Sequence, residues 1–402
     1  MQNSPPALPP LRSITVLDLG QIYNGSYATF LMAMAGARVI KVEPLTGEHL
    51  RRRASVGGAA LPFAMLNSNK QSITLNLKTE RGRELLRSMM KRCDVLLENF
   101  APGTMDRLGI GWNALKEENP RLVYGSGSGF GLTGQYSNYP AMDLTIQAMT
   151  GVMSVTGFAD RPPVKAGPAL CDFFGGVHLY GAIMTALFER SLTNKGRRVD
   201  VSMQEAVYAS LSSNLGLYMG EDKSMNVRTG NRHGGLAESP YNVYPTEDGY
   251  IAIICVGETH WRSLITAMKR PELADDTRFS NLAARVDHMD EVDAVVGEFT
   301  SQFTKEELFQ HLMRHRVPCS PVRDLNEVIN DPHLLSRRFI EWIDHPDLGR
   351  VPLQNSPMRY EGTDPSRIVP SRRLGEDNEA VYEDWLGLSK DTMASLKADG
   401  VI

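Results

Sequence analysis

The sequence predicts an α/β protein, a doubly wound first domain carrying a smaller α+β domain, and three observations point there. Apolar runs of strand length alternate with runs of helical period from the N-terminal third onward. Short Gly-marked turns separate them, and near residue 225 the alternation gives way to a period-2 pattern around a tight turn.

In order, "SITVLDLG" (residues 13–20) reads as a buried strand, "SYATFLMAMAGA" as a helix ending at Gly36, and "RVIKVE" as a second strand, which together make a βαβ unit. The helix "ERGRELLRSMMKRC", the strand "DVLLENF" and the strand "RLVYGSGSG" continue the pattern. From Pro168 a long helix begins, followed by a short strand and another apolar helix, so the first domain runs past residue 200. "YNVYPTEDGYIAIICV" then alternates about Glu247-Asp248-Gly249, a hairpin signal of the Asp-Gly type, with helices near Trp261 and Glu291. The expected boundaries are 1–220 for the large domain, 225–325 for the small one, and 326–402 for a Pro-rich C-terminal segment, short of periodic elements, that returns to the large domain.

Composition bounds the function. The 402 residues exceed one typical domain, and a formal charge of -4 argues against nucleic acid as a partner. "LRRRA" (residues 50–54) and "MNVRTGNRH" (residues 225–233) are the candidate phosphate-holding patches. The four cysteines are far apart and form no CxxC, so free thiols in a reducing cytoplasm are expected and no metal site. "MQNSPPALPPLRS" reads as a Pro-rich arm rather than a signal peptide, and no uninterrupted apolar run reaches the roughly 18 residues of a membrane span.

"GFGLTG" (residues 129–134) matches GxGxxG, but it follows a later strand and leads into loop-like "QYSNYP", whereas a dinucleotide fingerprint follows the first strand and opens a helix. Glu43 reads as a surface strand end. In "PALCDFFGGVHLYGAIMTALFER" (residues 168–190) Asp172 stands ahead of Gly175 and Gly176. Aspartate is a preferred N-cap, and a helix beginning at Phe173 needs one. The same position keeps a carboxylate ionised in the helix field, and two glycines at about 1 kcal/mol each relative to alanine call for close packing or ligand access. Cys171 is expected to be a buried thiol, and His178 a core or interface residue.

Several stretches taken together resemble the class III CoA-transferases (CaiB/BaiF family), which include formyl-CoA transferase and the carnitine CoA-transferase. They are "LDLGQIYNGSYATFLMAMAGARVIKVE", "NKQSITLNLKTERGRELL", "CDVLLENFAPGTMDRLGIGW", "GSGFGLTGQ", "CDFFGGVHLYGAIMTALFER", "GNRH", "VPCSPVRDLNEVINDPH" and "RRLGEDNEAV", in the family's order along almost the whole chain. The resemblance implies an intertwined homodimer with a Rossmann-like large domain. It implies that Asp172 attacks an acyl-CoA thioester, giving an aspartyl anhydride and then an aspartyl-CoA thioester that loads an acceptor acid. CoA is then the substrate's carrier and no cofactor is permanently bound. The matching CoA-binding positions are Leu75 to Lys78, Asn99, Phe100 and Ala101, and Arg107 for the diphosphate, with Arg51 assisting. Turns such as "GSGFG" or "HGGL" (residues 233–236) are candidates for the oxyanion, and Arg228 and Arg232 for a second carboxylate of a donor such as succinyl-CoA.

The chain departs from the family at the first βα turn. Asn24-Gly25-Ser26 replaces an AGP-like tripeptide, Tyr23 a glutamine, and Pro44 an arginine. Within the same fold an α-methylacyl-CoA racemase uses a histidine where "YPAMDL" has Met142, and methionine exchanges no proton. Asp143 remains beside it as a second acid. A non-catalytic CoA-binding protein is the third alternative.

Overall fold

The computed structural model describes residues 7–53, 60–220 and 226–402. Ala54 and Met225, at the ends of the two basic patches, and the first six residues of the Pro-rich arm lie outside them. The chain divides into two compact units, one of residues 1–146, 169–207 and 329–402 and one of residues 147–168 and 208–328.

The first unit is built on six parallel strands: β1 (Thr15–Asp18), β2 (Arg38–Glu43), β3 (Gln71–Thr74), β4 (Val95–Glu98), β5 (Val123–Ser128) and β6 (Arg198–Ser202). Their order is β3-β2-β1-β4-β5-β6, so the winding reverses between β1 and β4. The central strands are buried on both faces, as parallel strands between helices must be. Because side chains alternate, Leu17, Ile40 and Leu96 face a core of Leu85, Leu86, Met89, Val381, Tyr382 and Leu396. Val16, Val39, Val95 and Val123 face the opposite core of Ala28, Met32, Leu179 and Ile183. The last two belong to the helix Leu170–Thr193, which among the described residues is long and apolar enough to cross a membrane but lies against the sheet.

The C-terminal segment has more regular structure than its sequence pattern predicts. It holds a hairpin of β10 (Ile340–His345) and β11 (Gly349–Gln354) and two helices, Asn378–Leu386 and Lys390–Ala398. Pro352 interrupts the strand signal at an edge, where its missing N–H costs nothing. Asp377 and Asn378 accept hydrogen bonds from the Ser72 and Thr74 amides at 2.8 Å each, and the Tyr382 hydroxyl donates to the Thr74 carbonyl at 2.7 Å. The otherwise open edge at β3 is thereby covered.

The second unit has a three-stranded antiparallel sheet of β7 (Tyr241–Thr246), β8 (Gly249–Ile254) and β9 (Cys319–Pro321). Thr246 pairs with Gly249, so Glu247 and Asp248 form the two-residue turn and the glycine sits at the start of β8. Trp261, Leu264, Val292, Val296, Leu308 and Leu312 fill its core. The helix Lys305–Arg314 opens with a capping box of Thr304 and Glu307.

Candidate functional site

The first βα turn is fixed from below by a buried charge cluster. Asp18, at the end of β1, is 0% exposed and accepts hydrogen bonds from the Gly20 amide, Thr29 Oγ1 and Lys70 Nζ at 2.7–2.8 Å. Lys70 Nζ also donates to the Ser26 carbonyl at 2.9 Å, and Lys41 Nζ to the Gly20 carbonyl at 2.7 Å. Burial pushes the Asp18 carboxyl up, but Lys41 and Lys70 outweigh it and hold it below its ordinary range. Burial brings the Lys70 ammonium down to about 8 against the pull of Asp18.

From above, the turn is tied to the one after β4. The Asn99 carboxamide accepts from the Gln21 amide at 2.7 Å and donates to the Gln21 carbonyl at 2.9 Å. These two turns flank the point where the strand order reverses, the position at which open α/β sheets bind ligands. A cavity of about 330 Å³ lies there, walled by Gln21, Ile22, Asn24, His49, Asn99 to Pro102, Gly127 to Phe130, Ser137 and Tyr139 to Met142, with Asp172 and Met203.

Asp172 enters that wall on the helix Leu170–Thr193, which begins before Phe173, the start that would have made Asp172 its cap. Its N-cap is Ala169, so Asp172 occupies the third helical position and does not cap its own helix. The capping comes from a distant carboxylate: Asp143 Oδ1 accepts from the Cys171 amide at 2.8 Å and from the Asp172 amide at 3.4 Å. The Asp172 carboxyl is thus left facing the cavity. Burial, and next the negative charge of Asp143, push it up to about 7, while the Asn24 backbone amide pulls the other way.

Gly175 and Gly176 serve packing. A Cβ on Gly175 would lie 2.2 Å from Asn24 Nδ2, and one on Gly176 would lie 2.7 Å from the Asn24 carbonyl oxygen, at the start of the helix Asn24–Met34. Gly176→Ala gains about 1 kcal/mol of helix propensity, but overpacking against a backbone oxygen costs typically about 1–3 kcal/mol. The urea midpoint of this variant is expected to fall; a raised midpoint would refute the close packing.

Of the residues expected from sequence, Asp172, Asn99, Phe100 and Ala101 meet at the cavity. Leu75 is buried after β3, Lys78 is exposed, and Arg107 is exposed with its guanidinium on Thr104 Oγ1 at 2.9 Å; none of the three lines the cavity. Arg51 is spent within the fold. It pairs with Glu43 at 2.8 Å and 2.9 Å, donates to the Arg372 carbonyl and lies over the Phe63 ring. Glu43 is correspondingly buried at 0% exposure, where a surface strand end was expected, because Arg51 and Ser72 Oγ satisfy it.

Several other expectations resolve locally. Burial pushes the Cys171 thiol up to about 12, so it stays protonated. His178 is exposed, with Nδ1 2.8 Å from the Phe174 carbonyl oxygen. Arg232 is held by Asp290 and Asp293 at 2.6 Å each. In "HGGL" the Gly235 amide donates to His233 Nδ1 at 3.2 Å, whereas Gly127 to Gly129 do line the cavity. No helix follows "GFGLTG", as a dinucleotide fingerprint requires. Among the described residues no three metal-ligating side chains cluster. Sequence reasoning missed the capping role of Asp143 and the burial of Asn24; the only signal for the latter was its departure from the small tripeptide.

A family model described as CoA-transferase family III matches residues 11–378. A formyl-CoA:oxalate CoA-transferase of Streptomyces coelicolor is 38% identical, over 98% of this chain and 99% of that one. A succinyl-CoA–D-citramalate CoA-transferase of Chloroflexus aurantiacus is 35% identical over 98% of each chain. The crystal structure of a CaiB/BaiF family protein from Brucella suis superposes with a TM-score of 0.81 at 34% identity, covering 94% of this chain and 99% of that one.

Proposed function

The chain belongs to CoA-transferase family III, and on that premise we propose that it moves CoA between two carboxylic acids through covalent intermediates on Asp172. The observation that carries this reading is the division of labour between two carboxylates. Asp143 takes the helix amides, and Asp172 is left at a cavity wall.

An Asp172 oxygen attacks the thioester carbonyl; the C–S bond breaks, CoA leaves as thiolate and a mixed anhydride forms. The thiolate then attacks the Asp172 carbonyl carbon, releasing the donor acid as carboxylate and leaving an aspartyl-CoA thioester. The acceptor carboxylate repeats the first attack on that thioester, and the returning thiolate cleaves the second anhydride on the acceptor side. New acyl-CoA departs and the Asp172 carboxylate is regenerated. No electrons or protons are consumed, so no redox cofactor enters. Phe100, Pro102, Phe130, Pro140 and Ala141 make much of the wall apolar, which disfavours water beside the anhydride. Alpha-proton exchange, the racemase's chemistry, has no histidine at Met142, a thioether 57% exposed at the same cavity.

The names of these two relatives pair a short acyl-CoA with a dicarboxylic acid, which supports a dicarboxylate among this enzyme's acids and succinyl-CoA among the donors to test. An interlocked homodimer with a Rossmann-like large domain is supported by the exposed Phe174, Val177, Phe188 and Leu192 on one helix, an apolar surface that a second copy would cover. Four free cysteines fit a reducing cytoplasm.

Incubation with acyl-CoA alone is expected to leave a hydroxylamine-sensitive adduct on Asp172, located by mass spectrometry; its absence with every donor would refute the mechanism. Only the carboxylate is nucleophilic. With its pKa near 7, adduct formation is expected to fall about tenfold per pH unit below neutrality and to level off above it. A profile flat through neutral pH would show that another group, or an unshifted carboxyl, does the work.

A further inference from the structure

Asn24 opens the helix after the first βα turn and is 3% exposed, yet neither its Oδ1 nor its Nδ2 has a hydrogen-bond partner among the described residues. Buried carboxamides are rarely left so, because desolvation of both ends brings nothing in return. The contrast is Asn99 in the same cavity wall, whose two ends are both bonded to Gln21.

The surroundings show that room for this side chain is built in. Nδ2 lies against Gly175 and Oδ1 against Gly127, where a Cβ would come within 2.2 Å and 2.4 Å. Gly175 is three residues beyond Asp172, one turn along the same helix face. The backbone amide of Asn24 already faces the Asp172 carboxylate. A small apolar side chain, as in the AGP-like tripeptide, would fill the same corner without an unpaired group.

We infer that the Asn24 carboxamide donates a hydrogen bond to the acyl oxygen that becomes negative when Asp172 is acylated, as a side-chain member of the oxyanion site. The inference rests on the reading that Asp172 is the nucleophile. When the carboxylate oxygen bonds to the thioester carbon, the carbonyl electron pair moves onto oxygen, and it returns as the C–S bond breaks. Asn24 stabilises that oxygen and transfers no proton. The acyl group supplies the partner the amide lacks in the free enzyme.

The test uses the full chain with Asn24→Ala and the near-isosteric Asn24→Asp, which keeps the shape and removes the donor. Loss of one such donor is expected to lower kcat about 10²-fold, with little change in the KM for acyl-CoA. The alanine variant is expected to melt no lower than wild type, since it buries no unpaired amide. If wild type forms no adduct, the nucleophile assignment falls and this inference falls with it. If wild type forms the adduct and both variants keep its kcat, the inference is overturned. It is equally overturned if activity is lost only in step with a lowered melting temperature, the mark of a structural residue.

Discussion

Asp172→Ala is expected to lower CoA transfer by roughly 10⁴-fold or more, the scale seen when a nucleophile is removed, and to leave the chain folded. Two features separate catalysis from stability here. The amides of its own helix are bonded to Asp143, so the substitution removes only the bond from the Asn24 amide, and alanine is the best helix former at an early helical position. The carboxyl is pushed from 3.8 to about 7, first by burial and then by Asp143, so folding favours its protonated form. Its contribution is therefore fully present below about 4 and is lost as pH rises through 7. The variant is expected to melt higher than wild type above neutral pH and level with it in acid. Turnover within tenfold of wild type would remove Asp172 from the mechanism; a lower melting temperature at alkaline pH would contradict the electrostatic account.

Lys70→Met is the second large effect, and it acts on the fold. Removing one member of a buried ion pair costs about 3–5 kcal/mol because the other charge is left without its partner. Lys70 and Asp18 have side chains 1% and 0% exposed, and the ammonium also holds Thr29 Oγ1, Asn67 Oδ1 and the Ser26 carbonyl. Lys41, whose Nζ is 3.9 Å from Asp18, compensates in part. Urea unfolding is expected to show a much lower midpoint at an unchanged slope. Since Ser26 lies two residues beyond Asn24, any folded fraction should also transfer CoA more slowly. A midpoint within experimental scatter of wild type would mean that the cluster does not hold the turn.

Much of the first unit was legible because its signals are local. β1, β2 and β4 are apolar runs too short for helices, and the run after β1 has helical period and ends at Gly36. The hairpin β10 and β11 was illegible: its strands alternate weakly, and pairing with each other is what makes them strands. Arg51 and Glu43 illustrate the same limit in the site. Arg51 reads as a phosphate-holding charge and Glu43 as a surface strand end until β2 and the segment ending at Arg372 bring them together.

The sequence by itself determined the alternation of strands and helices, the order of family motifs, and an aspartate at the start of an apolar helix ahead of two glycines. Only the tertiary structure decided that this aspartate does not cap its own helix, that the glycines admit Asn24, and that the Asn24 carboxamide is buried without a partner among the described residues. The physical reason is range. Periodicity and turn chemistry act between neighbours along the chain, whereas Asp143 reaches the helix amides from 28 and 29 residues away. Which polar groups are satisfied, and which are left for a substrate, depends on contacts that exist only once the sheet has formed.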